Sequence, residues 1–295
     1  MGERQLRPLV EGGTFFEGPR WHGGRWWASD FYRHTVYAID PDGTATAIVE
    51  VENQPSGLGF LPDDSLLVVS MKDHRILRCA VDGTVTTHAD LSEYCGGPLN
   101  DMLVDAHGRA YAGNFGFDLM HGADPTSATL VRVDPDGSVH VAADGLWFPN
   151  GMAIDGDTLL VAETFGGRVS AFTIAADGSL SDHRVWGQIA PQVAPAPLGE
   201  MLPQLGYAPD GMTLDAEGHV WAADGLGGPP CRIAPGGDIV DEIRLPDGMG
   251  AFACMLGGED GKTLLLCSAP DFAEENRKAA REAVLFTTTV EVPAA

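Results

Sequence analysis

The sequence predicts an all-β fold, a six-bladed β-propeller that forms a single domain over residues 1–295. Two observations predict it: a strand–turn–strand unit recurs six times at intervals of roughly 40 residues, and a Gly-containing turn joins the two apolar strands of each unit. One such sheet cannot bury both of its faces alone, so the repeats must pack side by side around an axis. Because the repeats run almost from end to end, we expect one closed domain rather than two.

Each repeat begins with a small or polar residue followed closely by Gly or Asp. The first strand then passes through a hairpin such as DAHG (105–108) or DAEG (215–218) into a second strand, which returns to the starting face. Asp-Gly turns elsewhere supply the backbone conformations that hairpins need. In chain order, the six first strands begin at Glu17, Ser56, Asn100, Asn150, Asp210 and Gly250.

Composition narrows the range of functions. The chain has 42 Asp and Glu against 18 Lys and Arg, which argues against nucleic acid or an anionic membrane as partner. The N-terminal segment MGERQLRPLVEGG lacks the apolar run of a signal peptide. The five cysteines are scattered and have no CxxC spacing, so neither a disulfide framework nor a thiolate metal site is indicated. We expect a cytoplasmic protein that acts on a small molecule; its oligomeric state is left open.

Four of the six opening residues carry oxygen donors at the same place in the repeat: Glu17, Asn100, Asn150 and Asp210. Propeller symmetry brings equivalent positions to one point on the axis. Two carboxylates and two amide carbonyls suit a hard divalent cation. Asn and Asp before Gly also serve turns, but Glu does not. The sequence therefore predicts an axial metal site, with Ca²⁺ favoured over other divalent cations because donors on a wide ring suit long, flexible bonds.

The ends of the second strands should surround the same mouth, which places Asp30, Asn114, Thr164 and Asp224 there. Two long segments, 115–128 and 186–209, should cover it as lids, and the second is stiffened by prolines. Together these segments and the neighbouring connections bring apolar side chains to the mouth. They are Phe115, Phe117, Met120, Trp147, Phe148, Leu205 and Tyr207.

Four motifs resemble the family of senescence marker protein (regucalcin), gluconolactonases and luciferin-regenerating enzymes over nearly the whole chain. They are FFEGPRW (15–21), LNDMLVDAHGRAYAGN (99–114), FPNGMAID (148–155) and APDGMTLDAEGHVWAAD (208–224). The resemblance implies a divalent ion, usually calcium, held by Glu17, Asn150 and Asp210. It also implies that Asn100 and Asp101 face the substrate or complete the metal shell.

The sequence departs from this family where substrate binds. Sugar-lactone members typically have an arginine where this chain has Pro98, and an acidic residue that contacts substrate in some members falls near Asp118 by spacing. We therefore expect a substrate less polar than a sugar lactone. The predicted substrate-binding residues are Asn100, Asn114, Phe115, Asp118, Trp147 and Tyr207.

These features favour metal-assisted hydrolysis of a lactone or related ester, with the ion polarising the carbonyl for attack by water. Asp210 or Asp101 is the predicted catalytic base; Asp118 is a further possibility, and Glu163 a weaker one because it can point into the sheet. The nine histidines show no triad spacing and no GxSxG occurs, which disfavours a serine hydrolase. Two alternatives stay open: another metal-dependent propeller enzyme, phosphotriesterase-like or non-hydrolytic, and a non-catalytic calcium- or ligand-binding protein.

Overall fold

The computed structural model describes residues 4–295, which form six four-stranded antiparallel sheets arranged as the blades of a propeller. The first strand of each blade is innermost and contacts the first strands of the two neighbouring blades, so these six strands close a ring in chain order. Each begins within one residue of the predicted position. The predicted six-bladed propeller is therefore confirmed.

The strands follow one another along the chain, blade by blade. The N-terminal strand is β1 (Arg7–Gly13). Blade 1 contains β2 (Phe16–His22), β3 (Arg25–Asp30), β4 (Thr35–Ile39) and β5 (Ala45–Glu50). Blade 2 contains β6 (Pro55–Phe60), β7 (Leu66–Ser70), β8 (Arg75–Cys79) and β9 (Val85–Asp90). Blade 3 contains β10 (Leu99–Val104), β11 (Ala110–Asn114), β12 (Ala128–Val133) and β13 (Val139–Leu146). Blade 4 contains β14 (Pro149–Asp155), β15 (Thr158–Glu163), β16 (Arg168–Ile174) and β17 (Leu180–Gln188). Blade 5 contains β18 (Pro209–Leu214), β19 (Val220–Asp224), β20 (Cys231–Ile233) and β21 (Ile239–Glu242). Blade 6 contains β22 (Gly250–Gly257), β23 (Thr263–Ala269) and β24 (Ala283–Thr289).

Blade 6 is completed by the N-terminal strand. Strand β1 pairs antiparallel with β24, from Arg7 opposite Thr287 to Gly13 opposite Ala283, and becomes the outermost strand of this sheet. The repeat pattern did not predict this pairing, because Arg7–Gly13 lies before the first repeat and does not resemble it. The pairing joins the two ends of the chain and closes the ring.

The blades are packed through their inner strands. Strand β7 is buried along its whole length, whereas the outermost strand β9 is mostly exposed. Side chains alternate along β7: Leu67 and Val69 pack in the core cluster on one face, and Leu66 and Val68 in the cluster on the other. Each buried aliphatic side chain contributes about 1.5–3 kcal/mol, so these two faces hold neighbouring blades together.

The glycine after an opening residue is explained by the close approach of first strands. A Cβ at Gly57 would lie 2.4 Å from the backbone nitrogen of Met102 in the next blade. A Cβ at Gly151 would lie 2.4 Å from the carbonyl oxygen of Asp210. No other residue type fits at such distances, which is why the polar-residue–Gly pair marks these strands in the sequence.

Short helical turns are confined to the connections. The two α-helices are α1 (Leu198–Met201) and α2 (Glu274–Arg277), and 3-10 turns span Phe31–Arg33, Leu119–His121, Thr164–Gly166 and Leu202–Gln204. Across residues 4–295, no helix has the length and apolar character needed to cross a bilayer.

Candidate active site

A bulge at the start of each first strand turns the opening residues toward the axis. The antiparallel register shifts between Glu17 and Arg20 in β2, and the same shift recurs in the first strands of blades 3, 4 and 5. Such bulges re-aim side chains next to functional sites. The structure thereby brings together all four predicted oxygen donors, Glu17, Asn100, Asn150 and Asp210, on the floor of one cavity.

The cavity has a polar floor and apolar walls. It encloses about 680 Å³, counting the space open to solvent at its mouth. Besides the four donors, two further residues with polar side chains line the described cavity, Thr164 and Tyr32. Its apolar lining residues are Phe15, Phe31, Phe115, Leu119, Met120, Phe148, Phe165, Leu202, Leu205, Ala208, Leu226, Phe252 and Phe272.

Hydrogen bonds fix the orientation of the Asn150 amide. Its Nδ2 donates to the Thr164 hydroxyl at 3.1 Å and to Oδ1 of Asp210. The Thr164 hydroxyl in turn donates to the carbonyl oxygen of Pro209 at 2.9 Å, so it can only accept from Asn150. This network assigns the amide nitrogen to Asp210 and leaves Oδ1 of Asn150 available as a cation ligand.

Negative charge is concentrated at the floor. Burial raises the pKa of Glu17 well above its ordinary value, and the charges of Asp210 and Asp101 raise it further. Burial and the charge of Asp101 raise the pKa of Asp210 in the same direction. Both shifts arise because the carboxylates are removed from water and close to like charge. A divalent cation would relieve this repulsion.

The donor set suits a hard cation. Within the described chain, no group of three or more His, Cys, Asp or Glu is placed to hold a metal, so a metal here depends on amide oxygens as well as carboxylates. The Nδ2 atom of buried Asn100 has no hydrogen-bond partner among residues 4–295, and its amide is thus uncommitted. Two carboxylates with two amides form an oxygen set that fits Ca²⁺.

Asp101 is placed behind the floor. Its Oδ1 accepts from Nη2 of Arg20 at 2.8 Å and from the backbone nitrogen of Met102 at 2.8 Å, and the residue is buried. It does not line the cavity. The sequence analysis grouped Asp101 with Asn100, but in the structure Asp101 lies outside the cavity lining. Its charge nevertheless raises the pKa of both Glu17 and Asp210.

Of the predicted substrate-binding residues, Asn100 and Phe115 line the cavity, and four do not. Asn114 is fully buried and uses its amide to bond the carbonyl oxygen of Thr129 and the nitrogen of Gly116. Tyr207 donates its hydroxyl to the carbonyl oxygen of Ala222. The other two are Asp118, which caps the Leu119–His121 turn in an exposed position, and Trp147, which packs against the core.

Four of the seven apolar residues predicted at the mouth line the cavity, and three do not. Phe115, Met120, Phe148 and Leu205 line the cavity, whereas Phe117, Trp147 and Tyr207 support it from behind. Both long segments contribute to the lining, as expected of lids, and the segment 270–282 between β23 and β24 contributes Phe272.

Several aromatic lining residues were missed, although the repeat marks them. Phe15 and Phe148 each lie two residues before an opening residue. Phe31 and Phe115 directly follow the last residue of a second strand, and Phe165 lies two residues after one. Comparing the repeats at the positions of Phe115 and Phe148 would have identified Phe31 and Phe15, but not Phe165, which is displaced by one position.

Acidic residues at the ends of the second strands have a structural role. Asp30 accepts from the backbone nitrogens of Thr14 and Phe15, Glu163 from that of Trp147, and Asp224 from that of Ala208. In blades 1, 4 and 5, the carboxylate at the end of the second strand thus holds the connection that leads into the first strand of the same blade. Of the four residues predicted at these strand ends, only Thr164 lines the cavity.

Replacing Glu163 with Ala is expected to lower the free energy of unfolding by about 3–5 kcal/mol, because it breaks an ion pair whose carboxylate is fully buried and leaves the half-buried Arg168 without its partner. Glu163 is fully buried and bonds Arg168 at 2.7 and 3.1 Å, as well as Ser170. Urea denaturation measures the change. The control is Glu217→Ala, which removes an exposed partner of Arg232 and should cost about 1 kcal/mol or less. Equal losses in both variants would contradict the structural role of Glu163.

Comparisons with known proteins identify similar sequences and folds. The family model described as SMP-30/Gluconolactonase/LRE-like region matches residues 15–270. A 6-deoxy-6-sulfogluconolactonase of Pseudomonas putida is 30% identical over 203 residues, covering 66% of this chain and 62% of that protein, which is less than two thirds of its length. The pentonolactonase XacC of Haloferax volcanii is 28% identical over 261 residues, covering 86% of this chain and 81% of that protein. The crystal structure of regucalcin from Agrobacterium tumefaciens, described as a calcium-binding protein, superposes on this chain with a TM-score of 0.79. The two chains are 20% identical, and the superposition covers 100% of this chain and 98% of that one. This similarity concerns the fold.

Proposed function

The chain belongs to the SMP-30/gluconolactonase/LRE-like family, and on that premise we propose that it is a calcium-dependent hydrolase of a lactone or related ester less polar than a sugar lactone. Lactone hydrolysis is supported by relatives that are named lactonases. The observation that carries the proposal is the convergence of Glu17, Asn100, Asn150 and Asp210 at the floor of an apolar cavity.

Glu17, Asn150 and Asp210 would hold the cation, with Asn100 beside them. When bound, a divalent ion supplies a Lewis acid that polarises the carbonyl and stabilises the oxyanion. The chain's own contribution is to position water and substrate. Apolar walls exclude bulk water from the floor, so the polar groups there act in a medium of low dielectric.

We assign proton transfer to Asp210. Its Oδ1 accepts from Asn150, whereas its Oδ2 faces Gly225, where a Cβ would lie 3.2 Å from this oxygen. The glycine leaves room for a water molecule next to Oδ2. Asp101 is less suited to the role, because it is paired with Arg20 and lies outside the cavity lining.

Hydrolysis balances with water as the only co-reactant. The water oxygen bonds to the acyl carbon while Asp210 takes one of its protons. The bond between the acyl carbon and the ring oxygen then breaks, and the departing alkoxide recovers that proton from Asp210. The product is a hydroxy acid, which loses its carboxyl proton at neutral pH.

The low polarity of the substrate follows from the walls. Besides the four floor residues, the lining residues of the described chain offer two side-chain hydroxyls, those of Tyr32 and Thr164, and the Thr164 hydroxyl already donates to the carbonyl oxygen of Pro209. Pro98, at the position where sugar-lactone relatives of the resembled family have arginine, has no donor at all. A sugar lactone would leave hydroxyl groups unpaired in such a cavity.

A substrate screen tests the proposed function. Alkyl, aryl and sugar lactones and a phosphotriester are incubated with the calcium-loaded protein, and acid release is followed above the uncatalysed rate. Opening of lactones is the expected result. Turnover of the phosphotriester alone would favour the alternative hydrolase, and calcium binding without turnover of any compound would favour a binding protein.

Replacing Thr164 with Val is expected to lower calcium affinity about tenfold, as loss of an outer hydrogen bond to a ligand commonly does. The valine cannot accept from Asn150, so the amide loses the contact that fixes its orientation. Calorimetric titration of the metal-stripped variant measures the effect. Thr164→Ser keeps the hydroxyl and should retain the affinity; a similar loss in the Ser variant would show that the methyl group, not the hydrogen bond, matters.

A further inference from the structure

The first wall of the cavity is a row of phenylalanine rings from blades 6 and 1. Phe15 lies between Phe31 and Phe252, with ring centroids 5.3 and 4.9 Å away. Phe252 also contacts Phe272, with centroids 6.4 Å apart. These distances are those of mutually packed aromatic rings. The wall is therefore a continuous aromatic surface that begins two residues from Glu17.

The second wall is a row of the same kind from blades 3 and 4. The ring of Phe148 lies 4.3 Å from that of Phe115 and 5.7 Å from that of Phe165, with the latter pair stacked at 17°. Phe148 precedes Asn150 by two residues, as Phe15 precedes Glu17. Each wall thus starts next to one donor of the floor.

The two walls face each other. In a ring of six blades in chain order, blade 1 is opposite blade 4, and blade 6 is opposite blade 3. Among residues 4–295, no aromatic pair joins one wall to the other. Residues of both walls line the one cavity, so it has phenylalanine rings on two opposite sides and the polar donors at its floor; we call this space the slot.

The slot is aromatic at depth and aliphatic at its mouth. Phe252 and Phe148, one from each wall, are only 2% and 6% exposed. Met120 and Leu226, which also line the cavity, are 36% and 38% exposed. A substrate whose carbonyl reaches the floor therefore places its neighbouring atoms between phenylalanine faces, and its remote atoms among flexible aliphatic chains.

Resting on the proposed hydrolysis of lactones, we propose that the substrate carries a planar aromatic substituent beside its lactone or ester group, held between the two phenylalanine walls. A flat ring can contact both walls at once, and aromatic pairs gain stabilisation beyond that of buried area. A saturated ring buries at least as much apolar surface but is thicker and has no π-face. Planarity, rather than low polarity alone, is thus the property selected.

The test compares two δ-valerolactones that differ only in a δ-substituent, phenyl or cyclohexyl. Both have the same ring, carbonyl and type of leaving oxygen, and the cyclohexyl compound is the more hydrophobic. We expect kcat/KM to favour the phenyl compound by about tenfold, equivalent to about 1.4 kcal/mol. Hydrolysis of both at equal rates, or preference for cyclohexyl, would overturn the inference while leaving lactone hydrolysis intact.

Binding of the corresponding lactams separates the inference from the proposed function. Lactams resist hydrolysis, so the affinities of 6-phenyl- and 6-cyclohexylpiperidin-2-one for the calcium-loaded protein can be measured by calorimetry. Tighter binding of the phenyl lactam supports the aromatic slot even if neither lactone is opened, a result that would refute only the hydrolase. Equal affinities overturn the slot.

Substitution of one phenylalanine in each wall tests whether the preference for the phenyl compound arises in the slot. Phe252→Leu and Phe165→Leu are expected to bring the phenyl-to-cyclohexyl ratio close to one. Phe172→Leu is the matched control, because Phe172 is equally buried but packs against His183, outside the cavity lining. Each ratio compares two ligands on one preparation, so it does not depend on the folded fraction. An unchanged ratio in both wall variants would contradict the inference.

Discussion

Replacing Asp210 with Asn is expected to lower calcium affinity by about a hundredfold or more, which corresponds to about 3 kcal/mol. The substitution keeps the size of the side chain and removes one of the two negative charges lining the cavity floor. Calcium affinity depends strongly on the number of charged ligands. Glu17→Gln removes the other charge and should have an effect of the same order. Isothermal titration of the metal-stripped proteins measures both.

The control for these variants is Asp124→Asn, which makes the same charge change at an exposed position of the 115–128 segment. Its calcium affinity should stay within about twofold of the original, because exposed charges at a distance are screened. Native-like affinity in both the Asp210 and Glu17 variants would rule out the axial site.

The second large effect concerns substrate. An alkyl-substituted δ-lactone is expected to exceed glucono-δ-lactone in kcat/KM by at least about tenfold, since each unpaired hydroxyl costs about 1–3 kcal/mol in a buried site. The alkyl chain instead gains about 25 cal/mol for each Å² that it buries. Steady-state rates of acid release, corrected for uncatalysed opening, give the comparison.

Glucono-δ-lactone as the better substrate by tenfold would contradict this account of the walls. It would mean that hydroxyl groups find partners that the lining residues do not provide. The position of Pro98 would then have no bearing on specificity, and the two long segments would leave the floor open to water.

The propeller could be predicted because its repeat is imposed by packing. A Gly follows the opening residue in blades 1, 2, 4 and 5, and the close approach of first strands requires it at Gly57 and Gly151, so the sequence marks these blades. The closing strand could not be predicted in this way. Arg7–Gly13 is an outermost strand with exposed side chains, and such strands carry no strict pattern.

The floor of the site could be predicted for the same reason, since Glu17, Asn100, Asn150 and Asp210 occupy one place in the repeat. The walls could be predicted only in part. Asn114 and Tyr207 lie close to the cavity in sequence, but backbone carbonyls engage their polar groups. Whether a side chain faces a cavity or secures a connection depends on partners that are distant in sequence. Arg20, which holds Asp101 from a strand two blades away, is the clearest case.

The most direct test of the proposed mechanism is the opening of an alkyl δ-lactone by the native chain before and after removal of its metal. Stripping with a chelator, checked by elemental analysis, should reduce the rate to that of the uncatalysed reaction, and added Ca²⁺ should restore it. Asp210→Asn should regain little activity at the same calcium concentration. Full turnover by the stripped protein would contradict metal-dependent hydrolysis at this site.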